Sequence, residues 1–135
     1  MVEYVERVTP TAEKDAPPHT RPDCPFCEIV AGRAPAQIAT RAAGAVAFHP
    51  LDPVTDGHLL VVPIEHVEHF MHKPEVTGMV AEFAARIANH WMGGGDTNLI
   101  TSAGGYATQT VRHLHFHIVP RSRDDGLLLP WHRAP

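Results

Sequence analysis

The stretch RHLHFHIV, from Arg112 to Val119, alternates histidines with apolar residues. Because successive side chains of a β-strand point to opposite faces, the alternation predicts a strand over Val111–Val119 whose three histidines share one face. These histidines are His113, His115 and His117. The opposite face would pack in the core through Leu114, Phe116 and Ile118. The Cα atoms of successive histidines would lie roughly 6.5 to 7 Å apart, so two of the imidazoles could reach one phosphate group.

The composition bounds the size of the protein and the class of its ligands. The chain has 135 residues, of which 44% are hydrophobic and 19% charged, a balance typical of one folded soluble domain. Its formal net charge is -4 and no block of Lys or Arg occurs, which argues against a broad basic surface for duplex nucleic acid. The 11 histidines equal Lys and Arg combined, and this excess indicates chemistry at imidazoles.

The chain has no apolar run long enough to cross a bilayer, since runs such as Leu59–Val62 are far too short. The N-terminal residues Met1–Lys14 include three glutamates and no apolar signal core. We therefore expect a cytoplasmic protein without membrane contact.

The remaining periodicities predict an α+β domain with a mainly antiparallel five-stranded sheet, one long helix and a short N-terminal helix. Pro74 begins the long helix and Gly93 follows its end, while Gly32 ends the short helix. Four strands precede the histidine strand: Gln37–Thr40, Ala45–His49, Leu59–Val62 and Asn98–Thr101. The long helix would cover the sheet with Val76, Met79, Val80, Phe83, Ile87 and Trp91.

The N-terminal residues 1–21 are polar and contain a Pro-Pro pair, which predicts a flexible arm. The folded domain would comprise residues 22–135.

Neutral donors precede the histidine strand, because Gln109 offers an amide and Thr110 a hydroxyl. Such donors beside imidazoles suit phosphate oxygens. A solvated polar face is the alternative interpretation of the same histidines.

Cys24 and Cys27 have the two-residue spacing that lets two thiolates bind one tetrahedral zinc ion. Two further ligands would be needed. A redox pair and a plain pair of buried thiols are the alternatives.

The sequence HLHFHIV resembles the His-φ-His-φ-His-φ-φ signature of the histidine-triad (HIT) family, in which φ is an apolar residue. The resemblance extends through Gln109–Val111 and Pro120-Arg121, and it also covers Cys24–Gly32 and Gly57–His66. It accounts for nearly all of residues 22 to 131 and is strongest to small bacterial Hint-like members. It implies the HIT fold.

The resemblance implies a mechanism in which His115 attacks phosphorus and carries the nucleotidyl group as a covalent phosphohistidine. His117 would stabilise the transferring group and protonate the leaving group, and His58 would support the triad from a neighbouring strand. The phosphate oxygens would accept hydrogen bonds from Gln109, Thr110 and Ser102. The implied activity is hydrolysis or transfer at a nucleoside phosphoramidate or a nucleotide phosphoanhydride, with no catalytic cofactor.

Zinc-containing HIT proteins use two histidines together with the cysteine pair. By this resemblance the metal ligands are Cys24, Cys27, His66 and His113, a closed and therefore structural zinc site. A zinc-stabilised scaffold without nucleotide affinity is a further alternative.

The resemblance also implies an apolar slot for the nucleotide base, formed by Phe26, Ile29, Phe48 and Leu51, although each is equally well explained as core. Two departures leave the substrate open: Pro50 replaces a residue that holds the ribose hydroxyls, and Ser102 replaces an Asn near the phosphate. They suggest an alternative function, a nucleotide- or partner-binding module with little catalysis. HIT proteins of this size are usually homodimers that pair through the long helix and a strand, so we expect a homodimer with a small nucleotide substrate.

Overall fold

The computed structural model describes residues 6–8 and 21–132, and its centre is an antiparallel sheet in the order β1-β2-β3-β4-β6-β5. The five expected strands are present. They are β2 (Ala36–Arg41), β3 (Ala45–His49), β4 (Leu59–Pro63), β5 (Thr97–Ile100) and β6 (Phe116–Pro120). The two expected helices are α1 (Pro25–Val30) and α2 (Pro74–Trp91). The α+β prediction, with one long and one short helix, is therefore confirmed.

A sixth strand, β1 (Glu6–Val8), pairs with β2 and was not predicted. It lies inside the stretch that the sequence analysis assigned to a flexible arm. The other residues of that arm, 1–5 and 9–20, fall outside the described residues.

Both faces of the sheet are covered, which explains why β3 and β4 are apolar without interruption. One face packs against α2 through a core cluster that includes Ala47, Leu59 and Val61. The other face packs against α1 through a cluster that includes Val46 and Leu60. A strand buried on both faces needs apolar residues at every position rather than at every second one.

The long helix begins at Pro74, where proline suits the first helical position, and ends at Trp91 before three glycines. Its buried residues are Val76, Val80, Ala84 and Ile87. Phe83 and Trp91 are partly buried against the same core, as expected. Met79 was expected on this face as well, but its side chain is more than one third exposed.

The last strand is shorter than predicted. It begins at Phe116 instead of Val111, because the chain bends at Val111–His113 and joins the ladder only beyond His115. Leu114 N donates to the carbonyl oxygen of Val67, outside the sheet. The alternation of sides nevertheless holds, since Leu114, Phe116 and Ile118 all lie in the core cluster beneath α2.

Within residues 6–8 and 21–132, no helix combines the length and the apolar character that a membrane span requires.

Candidate active site and metal centre

Two histidines from neighbouring strands contact each other where β4 and β6 pair. His58 precedes β4 and His117 lies on β6, and His58 Nε2 is 3.0 Å from His117 Nδ1. The backbone N–H of Val54 donates to His58 Nδ1 at 3.1 Å, so that nitrogen carries no proton. A neutral His58 therefore carries its proton on Nε2 and donates to His117. This in turn fixes the proton of a neutral His117 on Nε2.

The middle histidine of the triad is oriented by the backbone. His115 Nδ1 lies 2.8 Å from the carbonyl oxygen of His113. A carbonyl oxygen can only accept, so Nδ1 carries the proton and the lone pair of the neutral ring is on Nε2. Thr101 holds the same residue from the other side, because its hydroxyl donates to the carbonyl oxygen of His115 at 2.7 Å. Sequence reasoning missed Thr101, whose role depends on a long-range backbone contact.

The family resemblance predicts that these three rings are catalytic, and we refer to them as the catalytic histidines: His58, His115 and His117. The ring centroids of His115 and His117 are 5.2 Å apart, as are those of His58 and His117. Burial lowers the pKa of His58 and of His115, and it lowers the pKa of His117 to about 4, with further contributions from His115 and His58. All three imidazoles are therefore neutral near pH 7.

A cavity of about 270 Å³ lies over the catalytic histidines, and all three line it. Its polar part also includes Ser102 and Thr108, and Val54, Ile100 and Leu127–Leu129 form an apolar wall. A second cavity, of about 360 Å³, lies on the α2 side of the sheet beside His49 and Trp91, and none of the catalytic histidines lines it. The cavity of about 270 Å³ is therefore the one that the three histidines share.

The structure brings only one of the three predicted phosphate donors, Ser102, into this cavity. The side chain of Gln109 is buried, and its Nε2 donates to the carbonyl oxygens of Glu68 at 2.6 Å and Val111 at 3.0 Å. Both amide hydrogens of Gln109 are therefore engaged by backbone carbonyl oxygens, and Gln109 does not line the histidine cavity. Thr110 lines a different cavity, beside Cys24 and His66. Thr108 lines the histidine cavity although the sequence analysis did not select it.

The four expected metal ligands form one cluster, which we call the metal cluster: Cys24, Cys27, His66 and His113. Their ligand atoms all lie within 4.8 Å of one another. His113 Nδ1 is 3.4 Å from Cys24 Sγ and 3.5 Å from Cys27 Sγ, and His66 Nδ1 is 3.2 Å from Cys27 Sγ. The cluster can hold a metal ion.

The local fold explains this convergence. Cys24 is the N-cap of α1, and its sulfur accepts the backbone N–H of Cys27, which places both thiols at the start of the helix. His113 is fully buried and donates through Nε2 to the carbonyl oxygen of Pro63 at 2.9 Å, which leaves Nδ1 for the metal. Burial lowers the pKa of His113 to about 4 and raises the pKa of the Cys27 thiol to about 11.

The four residues expected to form the base slot divide into two kinds. Phe26 and Phe48 are buried and stack edge to face with centroids 5.5 Å apart, and Ile29 packs against the same cluster. Phe26 also lies 5.1 Å from the ring of His115. Leu51 is fully exposed and does not belong to the core.

Comparison with known proteins places these features in a family. A family model described as the HIT domain matches residues 31–124. The chain is 32% identical over 115 residues to the adenosine 5'-monophosphoramidase of Schizosaccharomyces pombe, covering 83% of this chain and 85% of that one. A solved HIT family protein of Bacillus anthracis superposes with a TM-score of 0.74 at 29% identity, covering 84% of both chains. A HIT family hydrolase of Clostridium thermocellum gives a TM-score of 0.70 at 26% identity, covering 82% of this chain and all of that one.

Proposed function

The chain belongs to the HIT family, and on that premise we propose that it is a nucleotide hydrolase or transferase that forms a covalent phosphohistidine on His115. One observation carries the proposal. The hydrogen bonds of the catalytic histidines place the lone pair of His115 on Nε2 and the proton of His117 on Nε2, in one cavity. A nucleophile and a hydrogen-bond donor are thereby available at the same site.

In the first step, His115 Nε2 attacks the phosphorus of the nucleotide and the bond from phosphorus to the leaving group breaks. The free protein holds His117 neutral, but an anionic phosphate beside the ring favours uptake of a second proton from solvent at Nδ1. This gives the imidazolium form, and His58 then releases its hydrogen bond to that atom. His117 then gives its proton to the leaving atom, which departs with the bonding electron pair. Ser102 supplies a hydroxyl at the same cavity.

In the second step, a water oxygen attacks the phosphorus of the phosphohistidine. His117, now neutral, takes a proton from that water, and the bond between phosphorus and His115 breaks with its electron pair returning to His115. The nucleoside monophosphate leaves and His115 is restored. An acceptor other than water would give a transferase.

We propose nucleoside phosphoramidates as the first substrate class to test and nucleotide phosphoanhydrides as the second. The similarity to a fungal adenosine 5'-monophosphoramidase supports the first class. From the family resemblance we propose that the base lies toward Phe26 and Phe48, and the 5.1 Å between the ring centroids of Phe26 and His115 supports this. Both phenylalanines are buried and neither lines the histidine cavity, so the base would have to displace neighbouring side chains to reach them.

The metal cluster fits a structural zinc ion. Tetrahedral zinc with sulfur at about 2.3 Å and nitrogen at about 2.0 Å places a sulfur and a nitrogen ligand about 3.5 Å apart. The distances here between His113 Nδ1 and the two sulfurs, 3.4 and 3.5 Å, agree with that spacing. When bound, zinc would supply cross-linking of α1 to the segment before β6. We propose a cytoplasmic location, because cysteines that bind zinc must stay reduced.

We further propose a homodimer that pairs through α2 and β5. The strand β5 lies at one edge of the sheet, opposite the β1 edge, and Leu99 on β5 is exposed. An unpaired edge strand with apolar side chains is a surface suited to association. Light scattering on the purified protein should give twice the mass of the chain, and a monomer at all concentrations would contradict this.

The test of the activity uses three purified proteins: the unmodified chain, His115→Ala and the control His90→Ala, which alters an exposed histidine of α2. Each is incubated with adenosine 5'-phosphoramidate and with a diadenosine polyphosphate. We expect turnover by the unmodified chain and the control and none by His115→Ala. Equal turnover by His115→Ala would exclude the mechanism. Tight nucleotide binding without turnover by any of the three would favour the binding module suggested by Pro50 and Ser102.

A further inference from the structure

Thr108 has a backbone conformation that its side chain disfavours. Its φ is +70° and its ψ is +25°, in the left-handed region. Only one other described non-glycine residue, Asp124, has a positive φ. Aspartate tolerates this region, whereas for a β-branched residue it is a genuine outlier with an energetic cost. Such strain occurs where the surrounding structure imposes it, and it is concentrated at functional sites.

The surrounding loop imposes this conformation through hydrogen bonds on both sides of Thr108. The carbonyl oxygen of Gly104 accepts from Ala107 N at 3.1 Å and from Gln109 N at 3.0 Å, and Thr108 N donates to Gly105 O at 3.0 Å. The buried Gln109 side chain locks the loop, since its Oε1 accepts from Gly104 N while its Nε2 binds the carbonyl oxygens of Glu68 and Val111. Gln109 is therefore turned inward, and Thr108 lines the cavity of the catalytic histidines.

In this structure the hydroxyl of Thr108 is available to a ligand as an acceptor, because it donates to the carbonyl oxygen of Ala107 at 2.5 Å. Its oxygen lone pairs remain, and the side chain is exposed on the cavity wall that also contains His115 and His117. A hydroxyl with its hydrogen committed accepts hydrogen bonds and does not donate them.

We propose that Thr108 is a specificity-determining residue whose oxygen accepts a hydrogen bond from the N–H of a phosphoramidate leaving group. This rests on the proposed function and narrows its substrate class. A nitrogen leaving group that keeps a hydrogen can donate to Thr108, whereas the bridging oxygen of a phosphoanhydride has no hydrogen to donate. Thr108 would thereby favour cleavage of phosphorus–nitrogen bonds over phosphorus–oxygen–phosphorus bonds.

The test is a substitution that removes only the oxygen, Thr108→Val, measured on two matched substrates. Adenosine 5'-phosphoramidate carries hydrogens on its nitrogen, and adenosine 5'-phosphoromorpholidate has the same type of bond with none. We expect Thr108→Val to lower kcat/KM for the phosphoramidate about tenfold, the effect of one hydrogen bond, and to leave the morpholidate unchanged. Thr108→Ser, which keeps the hydroxyl, should restore the ratio of the two values.

A second variant guards against a folding defect. Thr108→Gly is free of the left-handed strain, so it should retain or raise the Tm and show the same selective loss as Thr108→Val. An unchanged ratio of the two substrates in either folded variant would overturn the inference. Failure of the unmodified chain to hydrolyse either substrate would instead overturn the proposed function, so the two failures are distinguishable.

Discussion

His113 belongs to the metal cluster, and His115, two residues later, belongs to the catalytic histidines. The backbone orients these two imidazoles differently. The Nε2–H of His113 donates a hydrogen bond to the carbonyl oxygen of Pro63, and its Nδ1 faces the sulfur atoms of two cysteines in a closed site. The Nδ1–H of His115 donates a hydrogen bond to the carbonyl oxygen of His113, which leaves its Nε2 available in the histidine cavity. The role of an imidazole here therefore depends on which of its nitrogens the backbone engages and on whether the other nitrogen faces metal-binding sulfur atoms or an open cavity.

Replacing His117 should give the largest effect that separates the two regions. We expect His117→Ala to lower kcat by roughly 10² to 10⁴-fold, the usual contribution of a general acid or base. Metal content and Tm should stay near those of the unmodified chain, because His117 is not a member of the metal cluster. Elemental analysis and calorimetry on the same preparation provide the check. A loss of metal in this variant would show that the metal cluster depends on the catalytic histidines.

Removal of the metal should affect stability more than chemistry. We expect Cys27→Ser to lower the Tm by about 10 °C, because this substitution would weaken binding of the metal ion. Loss of a bound ion that is present at some 100-fold above its Kd lowers the free energy of unfolding by about 2.7 kcal/mol. A chelator should lower the Tm of the unmodified chain by a similar amount and leave Cys27→Ser unaffected. If the chelator leaves the Tm of the unmodified chain unchanged, the metal cluster holds no stabilising ion.

Disruption of the contact between His58 and His117 should have a smaller kinetic effect. His58→Ala removes the donor that fixes the proton of His117 on Nε2, and we expect kcat to fall about tenfold, the scale of one hydrogen bond. His72→Ala, which alters an exposed histidine, is the control and should retain full activity. Equal kcat values in the two variants would show that His58 does not support the triad.

The pH dependence of stability tests the burial of a neutral His117 without reference to kinetics. Burial lowers the pKa of His117 from 6.5 to about 4, so the unfolded chain binds this proton more readily. The resulting stability is complete above about pH 6.5 and is lost as the pH falls toward 4. Denaturant unfolding of His117→Asn should therefore show a weaker decline over this window than the unmodified chain. Identical declines in the two proteins would contradict a buried neutral His117.

Sequence reasoning anticipated the features that depend on local pattern. The alternation of RHLHFHIV places Leu114, Phe116 and Ile118 in the core, and the helix from Pro74 follows from its period of three to four residues. The family resemblance predicts all four members of the metal cluster, and the structure brings them together. These features require only short-range order or a motif with fixed spacing.

The features that sequence reasoning missed depend on long-range backbone contacts. Gln109 has the composition of a phosphate donor, but the carbonyl oxygen of Glu68, 41 residues earlier, takes its amide. The bend at Val111–His113, which carries His113 to the cysteines, shortens the last strand. The left-handed Thr108 has no sequence signal, because glycine or asparagine is expected in that conformation.

We propose that His115 alone among the three triad histidines carries the covalent intermediate. The most direct measurement is mass spectrometry of the protein after a brief reaction with adenosine 5'-phosphoramidate, quenched in alkali to preserve a phosphorus–nitrogen bond, with fragmentation to locate the added group. We expect one nucleotidyl group on His115 in the unmodified chain and none in His115→Ala. An adduct on His113 or His117, or an adduct that persists in His115→Ala, would contradict it.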